Sequence, residues 1–277
     1  SLGALSATHS KVSHKADVPA FRWPMVTFPA SRWPLEKHAD ENAAAEAAAL
    51  AELARVFDAH AGKVAAVLVE PVQSEGGDRH ASAAFFRAVQ RMAKDAGAAL
   101  ILDEVQTGVA ITGTMWLHEQ FDLPEPADLV AFGKKMQMGG CFATAPYAVT
   151  QFGRMYQTRN GDRARAMLCT ATLRTIDALD LCGHAAREGA YFLSRLQEIA
   201  ERHPGLVSDA RGRGFLLAFD LPTPAARDDF LKRCLGRGIF ASYTGTRSVR
   251  IRPHLVTQRA DIDEALAVFS AVAAEMA

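Results

Sequence analysis

The 277-residue chain balances 31 basic against 31 acidic residues, for a formal net charge of zero, and is long enough for a large core and about two domains. Without a global field nucleic acid is not expected as a partner, and no apolar run approaches the ~20 residues of a membrane span, so neither is a membrane. Cys141, Cys169, Cys182 and Cys234 form no C-x-x-C pair and are expected as inert core thiols in a reduced, cytoplasmic setting.

The opening Ser1-Leu2-Gly3-Ala4-Leu5-Ser6-Ala7-Thr8 lacks an initiator methionine and the basic and apolar regions of a signal peptide. It reads as the middle of a domain, so a fragment, or a product starting internally, is expected. Residues 17–36 place Pro19, Pro24, Pro29 and Pro34 among Phe21, Trp23, Phe28 and Trp33, which predicts an ordered, aromatic-pinned loop. An Ala/Glu/Leu-rich helix follows over 40–60, then a strand over 64–69 that ends on Glu70-Pro71. Phe85, Phe86, Val89 and Met92 recur at helical spacing over 82–96, and Gly97 stops that helix. Strands are predicted at 99–103 and 128–132, with a helical segment near 115–121 between them. The alternation implies a mainly parallel sheet with crossovers. Helices over about 163–180 and 184–203 lead into a different grammar. There Arg211-Gly212-Arg213-Gly214 precedes a strand at 215–220, and Thr223-Pro224 caps and opens a helix over 224–236. A strand at 248–251 and a helix over 260–275 close a compact α+β unit.

Three strand ends deliver Glu70, Asp103 and Lys134. In open α/β sheets ligands bind at that carboxyl edge. A lysine and an acid converging there suit a pyridoxal 5'-phosphate (PLP) enzyme, which needs an amine to hold the cofactor and an acid for its ring nitrogen. Glu75 stands beside Gly76-Gly77, where a turn permits close approach to a ligand. Asp78-Arg79-His80 could offer metal ligands, but no second ligand cluster accompanies it, and no metal is expected. Arg250 and Arg252 lie two apart on a strand and face one side. Spacing leaves open whether they capture a substrate carboxylate or form structural ion pairs. His184 and Glu188, at i and i+4 on a helix, read as a surface pair.

Ala7 to Lys11, Glu70 to Gly77, Asp103 to Gly108, Phe132 to Met136, Arg211 to Gly214 and Ser248 to Pro253 together resemble class III PLP-dependent aminotransferases. Within them the likeness is to the 4-aminobutyrate aminotransferases of the eukaryotic type, and it runs from residue 1 to the C-terminus. The resemblance implies an α/β fold of PLP fold type I, similar to aspartate aminotransferase. Residues 1–175 would be the C-terminal part of the PLP-binding large domain, and 176–277 a small α+β domain. It implies a homodimer with the cofactor near the interface, acting on small amino and 2-oxo acids, in the cytoplasm or, in a eukaryote, the mitochondrial matrix.

The same resemblance assigns roles. Lys134, buried and with a lowered pKa, would carry the cofactor and shuttle the substrate proton. Asp103 would pair with the ring nitrogen, Val105 would pack on a ring face and Gln106 would bind the phenolic oxygen. Thr158 would reach the cofactor phosphate of the partner subunit, and Glu70 would lie close to the cofactor and the substrate amine. Glu75 would neutralise Arg250 when an ω-amino acid is bound and release it to grip the α-carboxylate of glutamate or 2-oxoglutarate. The family's phosphate-cradling loop, ring-stacking aromatic residue and γ-carboxylate arginine would precede residue 1. Val109-Ala110 replaces a glycine pair, Arg159 stands where an aromatic is usual, and Tyr243 where a glycine is expected near the pocket mouth. The expected reaction moves an amino group from 4-aminobutyrate to 2-oxoglutarate. L-Lysine 6-aminotransferase is the alternative donor reading, and a catalytically inactive truncated fragment is the non-enzymatic one.

Overall fold

A computed structural model of the chain describes residues 2–9, 13, 15–156 and 158–277; of the motif segment Ala7 to Lys11, residues Ser10 and Lys11 lie outside them. A short helix, α1 (Leu2–Ala7), opens it. Residues 19–32 then run without helix or strand, as their prolines dictate. Helix α2 (Ala39–Ala59) and helix α3 (Ala83–Asp95) flank strand β1 (Ala66–Val69) in the chain. Ser82 caps α3 by accepting from the Phe85 N–H at 3.1 Å, and it donates to the Glu46 carboxylate on α2. Gly97 ends that turn at a φ of 69°, which favours glycine.

Strands β2 (Ala99–Asp103) and β3 (Leu129–Phe132) extend β1 in parallel, and β4 (Gly140–Ala143) closes the sheet as an antiparallel edge. The order β1-β2-β3-β4 places the carboxyl ends of β1, β2 and β3 side by side. Between β2 and β3 the chain makes a 3-10 turn over Leu117–Phe121, shorter than a full α-helix. The α3 face predicted from spacing is the buried one. Phe86 stacks on Phe121 with centroids 4.2 Å apart, in a core shared with Leu100 and Leu102. Burying each such phenylalanine stabilises the fold by about 2–3 kcal/mol.

Helices α4 (Arg163–Ala178) and α5 (Leu181–Arg202) connect to a second, wholly antiparallel sheet. Its strands are β5 (Ser208–Arg213), β6 (Leu216–Asp220), β7 (Ser242–Thr244) and β8 (Ser248–Ile251), in the order β5-β6-β8-β7. Helix α6 (Pro224–Gly236) is capped by Thr223 as its sequence predicts, and α7 (Arg259–Met276) ends the chain. Phe219, Phe230 and Phe269 fill the core beneath this sheet. The two cores interlock: Leu216 packs into the first, Ile111 into the second, and the Phe215 N–H donates to the Ile111 carbonyl at 2.7 Å.

Several expectations change. His184 and Glu188 do not pair: the His184 ring binds the Thr257 carbonyl, and Glu188 takes Arg259 through both oxygens, each being drawn to the α7 entry. The thiols are free, but only Cys234 is a buried core group, its pKa pushed up to about 11 by burial; Cys141 sits exposed on the edge strand β4. Among the described residues, no helix is long and apolar enough to cross a membrane.

Candidate active site

The sheet edge brings together most of the residues singled out by sequence. Glu70 follows β1, Asp103 ends β2, and Lys134 follows β3 after Gly133. Neighbouring strands lie about 4.8 Å apart, so these groups form a row. Glu70 accepts from the Ser74 N–H at 3.3 Å. Its pKa rises to about 7, first through burial and then through the Asp103 charge. Asp103 accepts from the Val105 N–H at 3.0 Å, and burial lifts its carboxyl above the usual range although Lys134 opposes the shift. Its neighbour Glu104 is wholly buried, taking the His118 N–H at 2.8 Å and the His118 ring at 2.9 Å on one oxygen and the Thr107 hydroxyl on the other. Two consecutive acids thus divide the work: Glu104 ties the turn down, and Asp103 remains at the edge.

Lys134 is exposed rather than buried, because it leaves the sheet at a left-handed φ of 48° on the open rim. Its charge lowers both Glu70 and Asp103. Lys135 is the lysine that turns inward. It donates to the Gln106 carbonyl at 2.9 Å, and burial, followed by the Arg252 charge, brings its pKa down to about 8.

Glu75 and Arg250 meet across the two sheets at 2.7 Å. Gln106 joins both: its amide nitrogen lies 3.4 Å from Glu75, and its carbonyl oxygen accepts from Arg250. Arg252, beyond the end of β8, pairs with the fully buried Asp78, whose carboxyl is nonetheless raised by burial. His80 is buried beside Arg213, Arg211 and Arg252, and burial holds its pKa far below the usual range. Its edge-on contact is with Trp33. Among the described residues no group of three or more His, Cys, Asp or Glu is arranged to hold a metal ion.

Thr158 stands apart, on an exposed turn, and takes no part in these hydrogen bonds. Tyr243 lies half exposed on β7 with the Arg227 guanidinium of α6 at 4.6 Å above its ring. Val109 and Ala110 hold φ values of 63° and 67° while fully buried, the left-handed geometry a glycine pair would take without strain. Glu104, Lys135, Asp78 and Arg211 build the site although no role in it is expected of them: Asp78 is read in the sequence only for a metal, and Arg211 only within its motif. Adjacency to Asp103 and Lys134 is the one signal for Glu104 and Lys135. A concavity at the ends of α2 and α3, lined by Phe57, His60 and Met92, lies away from this edge.

A parallel sheet with acid and lysine at its carboxyl edge, facing an arginine from a second sheet, belongs to a known class. A family described as aminotransferase class-III matches residues 1–273, and the chain belongs to it. The family is PLP-dependent and has PLP fold type I. The 4-aminobutyrate aminotransferase of Dictyostelium discoideum is 39% identical over 274 residues, covering 99% of this chain and 55% of that protein. The L-lysine-epsilon aminotransferase of Amycolatopsis lactamdurans is 39% identical over 276 residues, covering 96% of this chain and 60% of that protein. Of solved structures, the lysine aminotransferase from M. tuberculosis superposes with a TM-score of 0.90 at 35% identity, over all of this chain and 64% of that one. The chain spans about half the length of the curated relatives it matches.

Proposed function

We propose that this chain carries the lysine and the carboxylate-gripping arginine of a PLP-dependent aminotransferase that moves an amino group from 4-aminobutyrate to 2-oxoglutarate, giving succinic semialdehyde and glutamate. The observation that carries the reading is the Glu75–Arg250 ion pair at 2.7 Å, bridged by Gln106. It supplies a guanidinium for a carboxylate together with a counter-ion for substrates that lack one there.

The residues fit the cofactor. Asp103 is a carboxyl raised by burial, so a protonated ring nitrogen would relieve its unfavourable charge. Lys134 offers an exposed primary amine on the same edge. Val105 lies beside Gly133, where an added Cβ would come within 3.5 Å of its side chain, and so offers an apolar surface next to the lysine. When bound, PLP supplies an electron sink for the carbanion left when the substrate C–H bond breaks. Asp103 would hold the proton on the ring nitrogen, which would make the sink effective. Lys134 would hold the cofactor through its amine and would serve as the base that carries the substrate proton. Gln106 would bind the phenolic oxygen, and Glu70 would lie beside the substrate amine. Thr158 would serve the phosphate held by a partner subunit. Arg250 grips the α-carboxylate of 2-oxoglutarate when Glu75 turns away; an unpaired buried guanidinium would be unfavourable, so the counter-ion returns for an ω-amino donor.

A homodimer is part of the proposal. Its support is the exposure of the large apolar side chains Phe142, Phe152, Met155, Tyr156 and Met167. The division near residue 175 is supported by the two sheets, each with its own core despite the exchange of Leu216 and Ile111 between them.

L-Lysine is the second donor reading, favoured by the 39% identity to the L-lysine-epsilon aminotransferase of Amycolatopsis lactamdurans. Both donors present a terminal amine, so the acceptor chemistry is shared. Glutamate formation from 2-oxoglutarate, followed with 4-aminobutyrate, L-lysine and L-ornithine in turn, decides. Preference for 4-aminobutyrate supports the first reading and preference for L-lysine the second. No turnover with any donor leaves the inactive-chain reading standing.

A further inference from the structure

The Glu75–Arg250 pair joins residues 175 positions apart, so something must hold its two backbones in register. On the Arg250 side this is β8, paired on both edges. On the Glu75 side there is a glycine turn, with Gly77 at a φ of 120° and Asp78 at 49°, closed at its base by the Gln73–Arg79 bridge but outside any sheet.

Arg211, on β5 and 6% exposed, reaches that turn with Nε and Nη2, while its Nη1 donates to the Asp209 carbonyl at 2.8 Å. Its Nε donates to the Asp78 carbonyl at 3.0 Å, and Nη2 donates to the Gly77 carbonyl at 2.7 Å. The charge is met by Asp220 at 2.8 Å, with Ser248 donating to the same Asp220 oxygen at 2.6 Å. From the other side, the β7–β8 hairpin docks backbone to backbone. The Thr244 hydroxyl donates to the Ser74 carbonyl, and the Gly245 N–H donates to the Glu75 carbonyl at 3.3 Å. A Cβ at position 245 would lie 2.8 Å from the Gly77 Cα, so the contact admits no side chain. The Glu75 backbone is therefore fixed from both directions. Its side chain, 32% exposed against 16% for Arg250, keeps room to rotate.

We propose that Arg211 is a positioning residue for the Glu75–Arg250 pair: by clamping the Gly76-Gly77 turn to the second sheet it makes Glu75 exchange partners through side-chain rotation on an immobile backbone. This deepens the reading of the pair given above and rests on it. A hinge-like turn would instead move the glutamate by bending the chain, and two glycines are what such a hinge would use. Here the two carbonyls at 77 and 78 are engaged by a planar fork whose five donors a lysine cannot reproduce.

The test compares Arg211→Gln, Arg211→Lys and Thr244→Val with the unaltered protein. Amide hydrogen exchange over residues 73–80 reads the clamp without any turnover. Arg211→Gln should speed exchange there by about tenfold, the effect of losing roughly one net hydrogen bond, with Arg211→Lys in between. The half-reaction with the ω-amino donor should slow while the KM for 2-oxoglutarate holds, because only the donor state needs Glu75 placed against Arg250. Thr244→Val, which loosens the turn from its other side, should act in the same direction and serves if Arg211→Gln does not fold. Unchanged exchange in the folded variants would overturn the clamp. Faster exchange with both half-reactions falling together would make Arg211 a support of the fold and not of the pair. If the unaltered protein transaminates no donor, the proposed function falls, and the exchange result still judges the clamp.

Discussion

The Glu75 carboxylate and the Arg250 guanidinium meet at 2.7 Å, and Gln106, from the turn after β2, touches both. The three elements that converge here are the glycine turn after β1, the turn after β2 and the central strand β8 of the second sheet. Each half of the molecule therefore supplies one charge of the pair.

Arg250→Ala should separate the two half-reactions. Losing the guanidinium and leaving the substrate α-carboxylate without its partner costs about 2–5 kcal/mol, so reaction with 2-oxoglutarate should fall by roughly 30-fold to several thousand-fold. Reaction with an ω-amino donor, which brings no α-carboxylate, should change far less. Single-turnover spectra of each half-reaction give the comparison. Equal damage to both would assign Arg250 a structural role.

The two lysines of the Gly133-Lys134-Lys135 stretch have separate tasks. Lys135 is engaged with the Gln106 carbonyl, and Lys134 stands open on the row of Glu70 and Asp103. Borohydride reduction of the cofactor-loaded protein, followed by peptide mapping, should place the pyridoxyl group on Lys134. Label on Lys135 would shift the register of the edge by one residue. It would also make the buried amine, with its pKa of about 8, the nucleophile.

The parts of this edge that join an apolar run to a terminal charge are legible in the sequence. Ala99–Asp103 and Ser248–Ile251 are strands at the predicted residues, since runs such as Leu100-Ile101-Leu102 allow little else. Strand β5 is hidden because Ser208-Asp209-Ala210-Arg211-Gly212-Arg213 is polar, and its place in the sheet depends on a buried arginine finding acceptors far away in the chain. Strands β4 and β7 are short edges without periodicity. The Asp78–Arg252 pair spans 174 positions, and no local pattern announces such a contact. Burial of Lys134 would require the residue after β3 to continue inward from the strand. A left-handed turn at the residue itself reverses that direction.

Asp103→Asn tests the acid of the row. The amide keeps the shape and the contact with the Val105 N–H but loses the negative charge that would hold a ring nitrogen protonated. Turnover should fall on the order of 10³-fold or more, comparable to removing a principal electrostatic stabiliser, while the visible absorbance of bound cofactor persists. Near-normal turnover would remove Asp103 from the role of ring partner.

Glu70 gives a prediction that needs no turnover. Its pKa of about 7 in the fold, against an ordinary value of 4.5, arises from burial and from the Asp103 charge beside it. Between those two values the folded chain holds the proton more often than the unfolded chain does. Stability therefore falls as pH rises through that window, and the full penalty is present above about pH 7. Glu70→Gln removes the charge at nearly constant shape. The variant should match the unaltered protein below about pH 4.5 and gain steadily up to about pH 7. The gain should then level off on the order of 3 kcal/mol, since a tenfold change in proton affinity corresponds to about 1.4 kcal/mol. Thermal melts of both proteins across about pH 4 to 9 measure it, and the cofactor should be left out because its charges would retune the row. A melting difference independent of pH would mean that Glu70 is ionised at little penalty, and the proton held at this edge would have to be reassigned to Asp103.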